Sequence, residues 1–145
     1  MKVSFKPLSE DFVLPKKGSS SASCFDCVAT SVKYLGDDLF EYGLGFSTEF
    51  SEPGWKGVIV PRSSFTKSDF VMQNSPAQID EDYRGEWRVR FRFIGNVNHI
   101  IQKPYQLGER ICQIYFEKVN DVELEIVDEL IETERGGGGF GSTGK

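Results

Sequence analysis

The chain has 145 residues, 39% of them hydrophobic and 27% charged, which suits one soluble globular domain with a real core and excludes a disordered chain. A formal net charge of −5 argues against a protein that tracks along nucleic acid, yet leaves room for a small anion held by local charge. Three cysteines are too few, and odd in number, for a secreted disulfide scaffold, and they suggest a reducing compartment.

The start, MKVSFKPLSE, has no long apolar run, so no signal peptide is expected. No stretch reaches the ~18 apolar residues of a membrane span, and the expected location is cytoplasmic. Taken in order, alternating residues predict strands at Val3–Phe5, Phe25–Val32, Phe40–Phe50 and Gly57–Val60, the last ending at Pro61. One short helix is predicted near Phe65–Asp69. The clearest alternation is Trp87–Phe93, with Trp87, Val89, Phe91 and Phe93 on one face and Arg88, Arg90 and Arg92 on the other. That arginine row is either an anion-binding stripe or a solvated or subunit-facing row paired with acids. Arg110–Val119 and Val122–Ile126 complete the predicted strands. Turn signals at Gly36-Asp37-Asp38, Glu52-Pro53-Gly54, Gly95-Asn96 and Asn120-Asp121 separate them. Many short strands and no long helical period predict an all-β sandwich or barrel. The last eleven residues, RGGGGFGSTGK, include six glycines, so residues 135–145 are expected to form a flexible arm behind a domain of residues 1–134.

Few side chains offer chemistry. Cys24 and Cys27 form a C-x-x-C, but with only Cys112 and His99 as further ligands they read as reduced thiols packed as small apolar groups. His99 is the only histidine and lies in a loop-like stretch, so Ser63 and Ser64 lack an evident base and read as hydrogen-bond donors, not nucleophiles. Pro61-Arg62-Ser63-Ser64 ends a strand with a guanidinium and two hydroxyls, a set that suits phosphate oxygens. In Ile79–Glu86, IDEDYRGE, an extended backbone would put Asp80 and Asp82 on one face and Glu81 on the other, and a carboxylate beside a phosphate can deprotonate water.

Together, five segments resemble, in order, the five motifs of the trimeric dUTPase family. SCFDCVA (23–29) resembles A-G-Y-D-L-x-A. PRSS (61–64) and the run from Asn74 through IDEDYRGE are the second and third. GERICQ (108–113) resembles G-[DE]-R-[IV]-A-Q, and RGGGGFGSTG (135–144) matches R-G-x-x-G-F-G-S-T-G. The resemblance implies a distorted jelly-roll-like β-barrel with at most one short helix. It implies hydrolysis of dUTP to dUMP and diphosphate with Mg²⁺, in a homotrimer whose sites are shared between subunits. Asp80 matches the carboxylate that activates water, and Tyr83 the ring under the deoxyribose. Asn74 and the backbone of Ala77, Gln78 and Ile79 match the hairpin that reads uracil. Arg62, Ser63, Ser64, Gln113 and Arg135 match phosphate-binding positions. Phe140 matches the aromatic that stacks on uracil, followed by Gly141 and the phosphate donors Ser142 and Thr143. Asp26 matches an acid that reaches the metal through water, and Arg110 a structural or interfacial position. No direct nucleic-acid partner and no membrane are implied.

Several positions depart from the family pattern. Cys24-Phe25 replaces Gly-Tyr, Cys27 replaces Leu and Ala77 stands for Gly. The stretch from PRSS to Asn74 is about one residue short, and Gly95–Gln106 a few residues long. These departures suggest a divergent member, with a virus or phage as one origin. Two alternatives remain: a dCTP deaminase of the same fold, and a non-catalytic protein that senses dUTP.

Overall fold

The computed structural model describes residues 1–95 and 103–138. Among these the chain is all β apart from one 3-10 turn. The strands are β1 (Val3–Pro7), β2 (Lys16–Lys17), β3 (Phe25–Val28), β4 (Ser31–Gly36), β5 (Leu39–Gly43), β6 (Phe46–Phe50), β7 (Trp55–Pro61), β8 (Phe70–Met72), β9 (Ala77–Ile79), β10 (Arg88–Phe93) and β11 (Arg110–Lys118). They form three antiparallel sheets: β1-β6, β4-β5-β10-β8 and β2-β3-β11-β7-β9.

The period of two on β10 is what places the core. Trp87, Val89 and Phe91 are fully buried, while Arg88 and Arg90 point out. Burying Val89 and Phe91 contributes about 1.5–3 kcal/mol each. Phe91 meets Phe65 at 4.8 Å between ring centres and Tyr42 at 5.8 Å, and Trp87 meets Phe46 at 5.3 Å. With Trp87 also against Phe116 of β11 at 6.4 Å, side chains of all three sheets meet in one aromatic core. Gly57 on β7 lies under the Trp87 indole, where any Cβ would collide with the ring.

Two predicted strands are each split in two. Phe25–Val32 becomes β3 and β4, and Phe40–Phe50 becomes β5 and β6, because the chain changes sheets at Ala29-Thr30 and Leu44-Gly45. Gly36, Asp37 and Asp38 all take positive φ (88°, 47° and 60°) in the β4–β5 turn. Glycine adopts that region freely and aspartate tolerates it, which is why the turn was legible. The predicted helix is a 3-10 turn over Ser63–Lys67, earlier and tighter than expected, since Phe70 must enter β8 to pair with Phe93.

Two expectations need correction. Along β11, Ile111 and Cys112 are both fully buried, which breaks strict alternation, because a register shift between Arg110 and Cys112 adds a bulge against β3. The predicted strand Val122–Ile126 is not a strand in this chain. Leu124 is 90% exposed and Ile126 fully exposed, and among the described residues no strand pairs with the segment. A strand needs a neighbour for its backbone hydrogen bonds, and a single chain supplies none here.

Candidate functional site

The predicted site residues gather into two clusters. The first lies where β3, β7 and β11 meet. Asp26 on β3 sits beside Gln113 on β11 in register, and its side chain is only 10% exposed. Its Oδ1 accepts from Arg62 Nε at 3.2 Å and Gln113 Nε2 at 3.0 Å, and its Oδ2 accepts from Arg110 Nη1 at 3.0 Å. Arg62 Nη1 also donates to the Arg110 carbonyl at 3.2 Å and lies 3.5 Å from Ser64 Oγ. One carboxylate thus orients two guanidiniums and an amide, a donor set suited to phosphate oxygens. Ser63 opens the adjoining 3-10 turn and is exposed.

Asp26 was expected to reach Mg²⁺ through water. Both its oxygens are already engaged by three donors, and among the described residues no three His, Cys, Asp or Glu side chains converge as a metal site. The described residues of one chain therefore bring together no set of direct metal ligands.

The second cluster is the segment from β8 to β10. Asn74 Nδ2 donates to the Arg88 carbonyl at 3.1 Å, and Asn74 Oδ1 accepts from the Arg90 amide at 2.9 Å. Ala77–Ile79 form β9 at the edge of the five-stranded sheet. Gln78 Oε1 accepts from Lys56 Nζ at 3.0 Å. Asp80 follows and is exposed. Asp80–Tyr83 is not extended as expected: the Tyr83 amide donates to the Asp80 carbonyl at 3.2 Å and closes a turn. Glu81 Oε2 accepts from the Gly54 amide at 2.6 Å, which holds this turn against the β6–β7 turn. The Tyr83 hydroxyl donates to the Glu86 carbonyl at 3.2 Å, and 44% of Tyr83 stays exposed. Asn74, Gln78, Ile79, Asp80 and Tyr83 line one groove of about 650 Å³.

Within one chain Arg62 and Ser75 line one cleft, but Asp80 stands apart from Arg62. Gly57 on β7 pairs with Ile79, so Asp80 lies beside Lys56, six residues before Arg62, on the flank of β7 opposite β11. At roughly 3.3 Å per residue, the two groups lie about 20 Å apart.

The groove also contains residues to which the motifs gave no role: Glu41, Glu86, Arg88 and Arg90. The Arg88 and Arg90 guanidiniums are paired with Glu41 and Glu86 at 2.8–3.0 Å. Of the two readings of the arginine row, this pairing fits acid partners and not an anion stripe. Burial alone would raise the Glu41 carboxyl, but the hydrogen bonds and charges of Arg90 and Arg88 outweigh it and hold it below the usual glutamate range. The alternation marked the arginines in advance. Glu41, nearly fifty residues earlier, carries no local signal.

The thiols behave as packed apolar groups. Cys27 on β3 and Cys112 on β11 are cross-strand partners, both buried, and burial followed by the hydrogen bond to Cys112 pushes the Cys27 thiol well up. Arg135 is exposed, and its Nε donates to the Gly138 carbonyl at 2.9 Å, within its own turn. His99, Asn96, Phe140, Gly141, Ser142 and Thr143 lie outside the described residues. No helix among the described residues is long and apolar enough to cross a membrane.

The chain is 37% identical over 149 residues to the deoxyuridine 5'-triphosphate nucleotidohydrolase of Nautilia profundicola, with all of both chains covered. It is 39% identical to the enzyme of the same name from Hydrogenobaculum sp., with 99% of both covered. Among solved structures it resembles the Staphylococcus bacteriophage 80alpha dUTPase with dUPNHPP, at a TM-score of 0.83, 19% identity and 99% coverage of each chain, which supports the jelly-roll-like fold. The family model for dUTPase matches residues 10–144, and with full-length relatives this similar, the chain belongs to the dUTPase family.

Proposed function

We propose that this chain hydrolyses dUTP to dUMP and diphosphate in sites assembled between the subunits of a homotrimer. The observation that carries the shared site is the separation of its halves. Arg62, Ser64, Gln113 and Asp26 form a phosphate-binding set at one end of β7, while β9 runs along its middle and leads to Asp80 towards the other end. In this reading a nucleoside triphosphate takes Asp80 and Arg62 from different copies. The exposed, alternating Val122, Leu124 and Ile126 fit the same assembly, as a strand whose neighbour belongs to another subunit.

In this reading the uracil edge meets the backbone of Ala77, Gln78 and Ile79, and Tyr83 packs under the deoxyribose. Asn74 serves by anchoring the hairpin to β10. Asp80, exposed at the groove wall, takes a proton from the water that attacks the α-phosphorus in line. Arg62, Ser63, Ser64 and Gln113 donate to the phosphates, where preset donors stabilise developing charge. Mg²⁺ enters as part of the substrate, held by the triphosphate and neutralising it. A solved relative, the phage phi11 dUTPase, is described with a structural Mg(II) ion. Residues 135–145 form an arm that closes the site: Arg135, Ser142 and Thr143 add phosphate donors, and Phe140 covers the base.

Diphosphate release should be measured with dUTP, dTTP, dCTP and UTP, with and without Mg²⁺. Release from dUTP alone, dependent on Mg²⁺, supports the proposal. Ammonia from dCTP would assign the deaminase reaction instead, and tight dUTP binding without turnover would leave a sensor.

A further inference from the structure

The floor of the nucleoside groove is a closed ion-pair lattice. Glu41 on β5 stands opposite Arg90 of β10 in register, and its side chain is only 11% exposed. Its Oε1 accepts from Arg88 Nη1 at 3.0 Å, and its Oε2 accepts from Arg90 Nε at 2.9 Å and Nη2 at 2.8 Å. Glu86 Oε2 accepts from Arg88 Nε and Nη2, both at 3.0 Å, while Glu86 Oε1 accepts from the Gly45 amide at 3.0 Å. Glu86 reaches that amide by passing over Gly43, where a Cβ would collide with its carboxylate.

The same two arginines are gripped a second time, through their backbones. Asn74 bonds the Arg88 carbonyl and the Arg90 amide, and Asn74 begins the segment that leads to Ala77–Ile79 and Asp80. Side-chain bonds to Glu41 and backbone bonds to Asn74 therefore converge on one stretch of β10. Two carboxylates face two guanidiniums, so the floor is neutral as well as fixed. This suits an uncharged base better than an unpaired cation row would.

We propose that Glu41 is a positioning residue for nucleoside binding: by holding Arg88 and Arg90 it sets the edge of β10 to which Asn74 anchors the uracil-reading hairpin. Glu41 need not touch the substrate. Without its charge, two guanidiniums on the same face of one strand lose a shared partner and repel, and the strand that Asn74 grips shifts. This inference rests on the reading that dUTP binds in this groove.

The test compares wild type with Glu41→Gln, which keeps shape and removes charge. KM for dUTP should rise roughly tenfold while kcat stays within about twofold, the split expected when ground-state and transition-state binding are lost together. Glu41→Asp keeps the charge on a shorter arm, and its KM should fall between the two. A general structural role would instead lower kcat and the unfolding temperature with KM unmoved, and that result, or an unchanged KM with unchanged kcat, overturns the inference. If Glu41→Gln does not fold, Glu41→Asp decides by itself: a several-fold rise in KM supports the inference and an unchanged KM overturns it. Wild type that fails to hydrolyse dUTP overturns the reading of the groove, and this inference with it. Wild-type turnover with an unmoved KM in the variants overturns this inference alone.

Discussion

Asp80 stands apart from the other carboxylates of its turn. Glu81 is engaged by the Gly54 amide, whereas Asp80 lines the groove with its side chain free of a hydrogen bond among the described residues. Asp80→Asn keeps the size and removes the base. Turnover should fall by about 10²–10⁴-fold with dUTP affinity retained, checked by diphosphate release beside calorimetric binding of a non-hydrolysable dUTP analogue. Unchanged turnover would remove Asp80 from the mechanism. Tyr42 shows a residue acting on stability instead. It is fully buried, and its hydroxyl donates to the Tyr105 carbonyl at 2.8 Å and accepts from the Tyr105 amide at 3.1 Å. Burial chiefly, opposed by the Tyr105 hydrogen bond and aided by the charge of Glu109, pushes its phenol up to about 12. A raised value favours the neutral phenol in the folded state, so this stability is fully present below the ordinary value of 10 and is lost as pH rises through about 12. Tyr42→Phe strands both Tyr105 groups and should cost about 1–3 kcal/mol at neutral pH, with a flatter alkaline limb. Urea unfolding followed from neutral to alkaline pH reads both effects.

Among elements, β7 matters most, because it spans the two clusters and carries the contact that joins hairpin to core. Gly57 pairs with Ile79 and lies against the Trp87 indole, so a methyl there must displace either the buried ring or the β9 edge. Gly57→Ala should destabilise by about 1–3 kcal/mol and lower dUTP turnover along with it. A variant with wild-type unfolding and kinetics would show that the ring has room to move. β3 and β11 accommodate the altered motifs in a related way. Cys27 stands where the family pattern has Leu and Cys112 where it has Ala, and the two are cross-strand neighbours. One position loses volume and its partner gains it, which keeps the core beneath Asp26 filled.

At the scale of the whole molecule, the proposed base Asp80 and the proposed phosphate donor Arg62 of one chain lie about 20 Å apart along β7. Asp80→Asn and Arg62→Gln should each be inactive alone. Unfolded together and refolded as mixed trimers, they should regain activity in roughly a quarter of sites, since each site would draw its two halves at random from different copies. No recovery would place both halves in one chain. The elements and motifs were legible in the residues themselves. Alternation along Trp87–Phe93 is local, because a strand exposes one face to the core whatever its neighbours are. The turn at Gly36-Asp37-Asp38 is local too, because it depends on which residues tolerate positive φ. PRSS, IDEDYRGE and the glycine-rich end are contiguous and needed no fold to be read. Only the tertiary structure decided which distant residues meet. Strand order brings Glu41 to Arg88 and Arg90 and puts Asp26 under Arg62, Arg110 and Gln113. It also leaves Val122–Ile126 without a partner strand among the described residues, although that segment alternates as well as any true strand. Pairing between strands is a property of register and sheet order, set by the packing of the whole core, and a period of two carries no information about it.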